Sequence, residues 1–164
     1  MDKMKLYLGM LWTSPITLLC FLFYILPFKT MGWYDSLGFR EKAWVYTVNA
    51  DKAPSFLKNY WAKWAGHAMG NLVVLKKYEA GNKSHETTLV HEMVHVRQCM
   101  LLGVLQPVIY GLLMVAGKIL QKYIGDYDAY YDNAFEVHAR RVAGQVVDVV
   151  GVVKKLQASK KTQV

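Results

Sequence analysis

Uncharged apolar residues dominate the beginning of the chain. The run 6–28 contains no charged side chain, two lysines precede it, and Lys29 follows it. About 20 consecutive apolar residues are enough to cross the hydrocarbon core of a bilayer. The run therefore predicts a membrane anchor or a membrane-associated helix, or else an apolar arm that packs on this protein or on another one.

Two prolines lie within this apolar run. Pro15 is expected to kink a helix early, whereas Pro27 stands near its natural end. If the helix restarted at Ser14, only residues 15–26 would be continuous. A helix of that length would lie in the membrane interface or in a protein core rather than span.

A second uncharged stretch covers 98–117 and is punctuated by glycines around Pro107. Glycine and proline are the strongest interruptions of regular structure. The pattern predicts two short helices, buried or facing a membrane, that are broken at 103–107.

The remaining pattern alternates between strand and helix periodicity, which predicts an α+β fold. Residues 42–49 and 67–78 are expected to be strands, the second with a bend at Gly70. A short helix or loop is expected at 53–63, a turn at 80–83, and a helix from His85 to Leu102 that Ser84 caps and Gly103 ends. The last helix is expected to begin near residue 128 or 132 and to reach about 156, with an apolar stripe of five valines: Val142, Val146, Val149, Val150 and Val153.

Composition excludes several protein classes. Hydrophobic residues make up 54% of the 164 positions and charged residues 20%, which rules out an intrinsically disordered chain. Two cysteines, Cys20 and Cys99, cannot form a disulfide framework. The net charge of +8 favours anionic surfaces. Half of this net charge lies in residues 154–164. That segment is expected to be a solvated tail or to contact anionic lipid. The sequence contains no nucleic-acid-binding motif.

The sequence His91-Glu92-Met93-Val94-His95 carries the clearest chemical signal. On a helix, His91 and His95 lie one turn apart on the same face, so both imidazoles can reach one metal ion. Glu92 lies a step round the helix, where it can contact a metal-bound water. This pattern predicts one Zn²⁺ held by the two histidines, with Glu92 as general base and then general acid.

Two histidines do not complete a catalytic zinc site, which usually has three protein ligands and a water. Later in the chain there are several possible third ligands. Glu136, at the start of the last predicted helix, is the preferred candidate, and the small Ala139 one turn later would let that helix approach closely. His138 is the second choice, and the remaining candidates are Asp126, Asp128 and Asp132.

These motifs resemble those of gluzincin metallopeptidases, most closely the compact prokaryotic and phage zincins of the DUF4157-like type. The resemblance covers about 61–142 and rests on the strand string 65–75 with its Gly-His pair, on HExxH followed by Val-x-Gln, and on the Asn-x-Phe-Glu-x-x-Ala string at 133–139. Ala134 stands where that family is expected to have proline. Membrane-embedded zinc peptidases with HExxH and a later Glu-x-x-Ala-Asp are a more distant likeness, since Arg140 replaces the aspartate.

The resemblance implies further roles. The strand before the active helix would bind an extended substrate by strand addition, through Gly70, Asn71, Leu72 and Val73, although an ordinary core strand is an equal interpretation. Tyr127, Tyr130 and Tyr131 would place a phenol near the reaction oxyanion or else serve packing. His67 and His138 are candidate supports of the metal ligands, and one of Arg97, Arg140 and Arg141 would orient a ligand carboxylate.

The sequence thus predicts a zincin-like α+β metallopeptidase domain at 31–157, preceded by an apolar segment at 1–30 and followed by a basic tail at 158–164. Its expected partners are a protein or peptide substrate and a membrane or apolar protein surface that binds 6–28. The alternative is a non-catalytic protein, associated with a membrane or a virion, in which zinc holds a zincin scaffold together.

Overall fold

A computed structural model describes residues 3–124 and 127–145. The chain divides into two compact units, Met1–Leu105 and Gln106–Val164. The boundaries at 30 and 157 that the sequence suggested stay a prediction, and the second of them lies outside the described residues. Each unit is described by itself below.

The first unit contains helices and strands in mixed order, as an α+β fold requires. Its helices are α1 (Lys3–Cys20), α2 (Leu26–Thr30), α3 (Ser55–Ala62) and α4 (Lys83–Leu102), and a π-helical turn at Phe21–Ile25 joins α1 to α2. Its strands are β1 (Tyr34–Arg40), β2 (Ala43–Val48), β3 (Gly66–Met69) and β4 (Leu72–Leu75).

The four strands form one sheet with the order β1-β2-β4-β3. Strands β1 and β2 are antiparallel, as are β3 and β4, whereas β2 and β4 run parallel. Strand β1 bears a register shift between Ser36 and Gly38. Strands β2 and β4 are therefore internal, and β1 and β3 are the edges.

Alternation along β2 and β4 divides the apolar residues between the two faces of the sheet. One face carries Tyr46, Leu72 and Val74, which pack with Ile25 of the π-helical turn and with Leu57 and Trp61 of α3. The other carries Val45, Val73 and Leu75, which pack with Leu89, Met93 and Val96 of α4. The sheet thus has a core on each side, and α4 lies against the second.

The N-terminal helix continues through Pro15, so the predicted restart at Ser14 does not occur. Proline cannot donate a hydrogen bond to the carbonyl four residues earlier. In place of that bond, Ser14 Oγ donates to Leu11 O at 2.7 Å. Pro27 lies in the first turn of α2, directly after the π-helical turn.

Helix α1 is attached to the rest of the first unit along one side. A Cβ placed at Gly9 would stand 3.1 Å from Met100 Cβ, so α1 and α4 meet at close range there. The Thr13 hydroxyl donates to Asn71 Oδ1, and Asn71 N donates to Thr17 Oγ1 at 3.0 Å. The apolar arm therefore packs on its own protein by this side.

The opposite side of this helix is exposed. Tyr7, Leu11, Leu18 and Phe23 all have more than half of their surface accessible. Among the described residues, Tyr7–Thr30 is the one helix long and apolar enough to cross a membrane. It has 24 residues, its most apolar 18-residue segment has a mean hydropathy of 1.8, and 17% of that segment is buried. Signal sequences and core helices of soluble proteins can have the same length and composition.

The predicted strand at 67–78 is wrong in one respect, because Gly70 and Asn71 turn the chain between β3 and β4. Gly70 has a φ of +60°, and a Cβ there would stand on the Thr17 side chain. Leu72 and Val73 lie in β4, which is paired on both sides. Gly70, Asn71, Leu72 and Val73 therefore cannot add a substrate strand. The edge beside them is β3.

Helix α4 confirms the helix that was predicted for the HExxH segment, and it begins two residues earlier than expected. Its N-cap is Asn82, not Ser84: the Asn82 side chain accepts hydrogen bonds from the amides of Ser84 and His85. Gly103 ends it, with its N–H donated to Cys99 O and a φ of +57°.

The second unit contains α5 (Leu105–Tyr123) and α6 (Ala134–Val142). Pro107 lies in the first turn of α5. The N–H groups of a first turn have no acceptor within the helix, so the N–H that proline lacks costs no helical hydrogen bond there. The predicted break thus falls at 103–104, just before α5. Large apolar side chains at helical spacing are exposed along α5, at Val108, Leu112, Val115, Ile119 and Tyr123.

Some predictions lie outside the described residues. They are the last helix beyond residue 145 with its valines Val146, Val149, Val150 and Val153, the candidate ligand Asp126, and the basic tail at 158–164. Helix α6 begins at Ala134, close to the predicted start, but it ends at Val142, so the prediction of one continuous helix to about residue 156 is wrong.

Candidate metal centre

Helix α4 holds His91 and His95 one turn apart, with their rings facing each other. The two Nε2 atoms are 3.1 Å apart and the ring planes are nearly perpendicular, at 74°. His91 is 8% exposed. Two nitrogens this close and this shielded from water can serve as ligands of one ion.

Gln98 orients the second histidine. His95 Nδ1 lies 2.8 Å from Gln98 Oε1, and the amide oxygen can only accept, so Nδ1 carries the proton. The Nε2 lone pair of His95 is then available to a metal. Second-shell bonds of this kind are usual around metal-binding histidines.

Glu92 is buried beside the histidines and lies against β3. It is 5% exposed, and a Cβ placed at Gly66 would stand 2.9 Å from Glu92 Oε1. Only glycine at position 66 leaves room for the carboxylate at this place. Sequence reasoning noted the Gly-His pair of this strand and did not derive the contact.

Glu136 is buried in the first turn of α6, at 3% exposure. Asn133 caps that helix by accepting from Phe135 N. Tyr110 Oη donates to Glu136 Oε1 at 3.0 Å, and Arg140 Nη2 lies 3.6 Å from Glu136 Oε2. Arg140 therefore forms an ion pair with the candidate carboxylate.

The ligand atoms of His91, His95 and Glu136 all lie within 4.8 Å of one another, and all three residues are buried. They lie close enough to bind a metal ion. Two imidazole nitrogens and one carboxylate oxygen form a donor set of the kind that suits zinc. The metal itself is not identified by this arrangement.

The other candidate ligands stand elsewhere. His138 is exposed on α6, two residues beyond the buried Glu136. Asp128 and Asp132 shape the preceding turn: Asp128 Oδ1 accepts from the amides of Tyr130 and Tyr131, and Asp132 Oδ2 accepts from Asp128 N.

Tyr130 and Tyr131 surround the Arg140 guanidinium. Its Cζ lies 5.3 Å and 4.3 Å from their ring centroids, and Arg140 Nη1 donates to Tyr131 O. These contacts give both tyrosines a packing role around the residue that holds Glu136. Burial raises the pKa of the Tyr127 phenol.

His67 lies in an aromatic cluster rather than in the metal-ligand group. Its ring is stacked on Trp61 with centroids 4.7 Å apart, and Tyr24 and Tyr60 flank it. Its Nε2 is buried without a hydrogen-bond partner among the described residues. Burial lowers the pKa of His67 to about 4.

Three residues of this region had no predicted role: Gly66, Gln98 and Tyr110. Gln98 belongs to the Val-x-Gln string. That string draws attention to the residue, but it does not predict the hydrogen bond between Gln98 and His95. Tyr110 lies in the second uncharged stretch, where it is the only hydroxyl-bearing side chain between Gln98 and Gly117. A lone hydroxyl group in such a stretch is the signal that could have pointed to it.

Comparisons with protein-family models, with curated proteins and with solved structures give no match for this chain. The resemblance to compact zincins stays a prediction, and the functional argument rests on the geometry of His91, Glu92, His95 and Glu136.

Proposed function

We propose that the protein is a zinc-dependent metallopeptidase whose metal ligands are His91, His95 and Glu136. The observation that carries the proposal is the convergence of three buried ligand atoms within 4.8 Å, two of them from an HExxH helix. A cluster of this composition is common to zinc sites that hydrolyse amide bonds.

A zinc ion held by these residues would act as a Lewis acid and lower the pKa of bound water from 15.7 towards about 7. The protein supplies the rest. Gln98 fixes the tautomer of His95, and Tyr110 and Arg140 hold the Glu136 carboxylate. These contacts keep the ligand side chains oriented before any metal binds.

Glu92 is the proposed proton carrier. Its carboxylate takes a proton from the attacking water, whose oxygen forms a bond to the carbonyl carbon of the peptide. When the C–N bond breaks, Glu92 returns the proton to the leaving amine. One water is consumed, and the products are a carboxylic acid and an amine.

Strand β3 is the proposed place of the peptide. It lies at an edge of the sheet, and its first residue Gly66 is in contact range of Glu92. An extended substrate paired with this edge would pass beside the proposed base.

The alternative function is a non-catalytic protein in which zinc has a structural role. The burial of all three ligands favours it, since structural sites are closed whereas catalytic sites keep an open position. Activity of the Glu92 variant separates the two functions.

We further propose that α1 contacts a membrane by its exposed side. Gly9, Thr13 and Thr17 attach the other side to the protein, so lipid cannot surround this part of the helix. A helix that lies along the membrane surface fits this arrangement better than one that crosses it.

The function is tested by zinc content and by cleavage. We expect the purified protein to hold one zinc ion per chain, and we expect the His91→Ala variant to lose this zinc. The control is His85→Ala, a change of the same kind on the same helix, which should keep the zinc. Glu92→Gln should keep zinc and lose cleavage of an unfolded protein substrate by a factor of about 10² or more. Zinc retention in His91→Ala contradicts the site, and full cleavage by Glu92→Gln contradicts the mechanism.

A further inference from the structure

A groove runs between the N-terminal helix and the sheet in the first unit. Its helix wall includes Met10, Pro15, Leu18 and Phe21, and its sheet wall includes Trp44 and Leu72. The groove has a volume of about 920 Å³ and is open to solvent along its side. The lining from Met10 to Lys29 corresponds to roughly 28 Å of helix at 1.5 Å per residue, so the groove is elongated.

We propose that this groove binds the acyl chain of an anionic phospholipid, whose headgroup Lys29 binds. The proposal concerns a site separate from the metal centre and does not depend on metal chemistry.

The polar side chains of the groove favour an acyl chain over a peptide. Ser14 Oγ donates to Leu11 O, Thr17 Oγ1 donates to Thr13 O, and Asn71 Nδ2 donates to Lys42 O. These groups are engaged within the protein. A peptide in the groove would leave its own backbone groups without partners, at a cost in free energy, whereas an acyl chain needs none.

Lys29 supplies the charge complementarity. Its Nζ lies 5.9 Å from the centroid of the Tyr46 ring, which also lines the groove. Among the described residues, no carboxylate forms an ion pair with Lys29. A phosphate at the end of an acyl chain would neutralise this ammonium group.

The position of the groove indicates that a bilayer is the source of the lipid. Leu18 lines the groove and is also 57% exposed, and the exposed residues Leu22 and Phe23 continue the same helix. A chain that enters from a membrane beneath this surface would pass from one apolar environment into another.

The test uses the full chain and a phosphatidylglycerol that carries a photoreactive group on its acyl chain, in phosphatidylcholine vesicles. Irradiation followed by peptide mapping should place cross-links on Leu18, Phe21 and Trp44. Cross-links confined to the outward residues Leu11 and Phe23 would overturn the proposal, since they show contact with the bilayer alone.

Two matched variant pairs sharpen the test. Leu18→Glu should remove the cross-links to Trp44, whereas Leu19→Glu, an equally exposed neighbour that does not line the groove, should keep them. Lys29→Gln should lower labelling by about fivefold, equivalent to about 1 kcal/mol, relative to Lys58→Gln. The same loss in both members of either pair, or equal labelling by a photoreactive phosphatidylcholine, contradicts the proposal.

Discussion

Gly66 determines how closely the Glu92 side chain approaches strand β3. A methyl group at this position would stand 2.9 Å from Glu92 Oε1 and 3.0 Å from Leu75 Cδ2. Leu75 is fully buried and cannot move away, so the carboxylate has to shift. Gly66 is therefore a positioning residue for the proposed base.

Gly66→Ala should reduce the rate of peptide cleavage by about 10², because a displacement of about 1 Å at a catalytic group has an effect of this size. Zinc content should stay unchanged. The matched control is Gly111→Ala, which has nothing within 4 Å of the added methyl. Equal activity of the two variants contradicts the positioning role.

His67 gives the protein a dependence of stability on pH. Burial lowers its pKa from the ordinary value of 6.5 to about 4. Between these values the unfolded chain binds a proton that the folded chain does not, so stability is lost as pH falls through this window. The loss from this group reaches about 3 kcal/mol.

We expect urea unfolding to show this loss between pH 6.5 and pH 4 in the natural protein. His67→Phe keeps an aromatic ring against Trp61 and cannot bind a proton, so its loss over the same range should be about 3 kcal/mol smaller. An identical pH profile for the two proteins would show that His67 does not carry the effect.

Sequence reasoning predicted the two histidines and Glu92 because their chemistry is tied to helical spacing alone. Among the candidate third ligands that the structure describes, Glu136 is the one that lies close enough to the two histidines to bind the same metal ion. Gly66 and Tyr110 were missed because their roles depend on which side chain packs opposite, a property that no spacing along the chain encodes.

At the scale of elements, α1 depends on close contacts with glycines. A Cβ at Gly103 would clash with the Trp12 indole, and the φ of +57° disfavours any other residue. Gly103 thus ends α4 and makes room for α1 at the same point.

Gly103→Ala should lower the free energy of unfolding by about 2 kcal/mol, through backbone strain of about 1 kcal/mol and through the clash with Trp12. In a Trp12→Ala background only the backbone strain remains, so the loss should be about half as large. Denaturant unfolding of the four proteins measures this difference. Equal losses in both backgrounds exclude the steric contact.

The hydrophobic pattern of the sequence predicts some strands and helices and misses others. Strand β2 and helix α4 follow from β-branched residues and from helical periodicity. Strand β1 gave no signal because most of its side chains are not buried and the strand contains a bulge. The sequence predicts one strand with a bend at Gly70, whereas the structure has a turn between β3 and β4, because Gly70 and Asn71 permit either conformation.

At the scale of the whole molecule, the apolar composition has a definite location. Much of it lies on exposed sides of two helices, Tyr7–Thr30 in the first unit and α5 in the second. Hydropathy alone predicted a span, an interfacial helix or a packed arm, since all three need the same residues. The hydrogen bonds of Thr13 and Thr17 to Asn71 show that one side of this helix packs on its own protein, and these bonds could not be foreseen from composition.

X-ray absorption at the zinc edge of the metal-loaded protein measures whether His91, His95 and Glu136 hold zinc. We expect nitrogen and oxygen ligands only, at about 2.0–2.2 Å, with the signature of two imidazoles. In Glu136→Ala one oxygen ligand of this shell should be lost or replaced by water. A sulfur ligand at about 2.3 Å, which Cys20 or Cys99 would supply, or a spectrum unchanged in His91→Ala, would contradict the assignment.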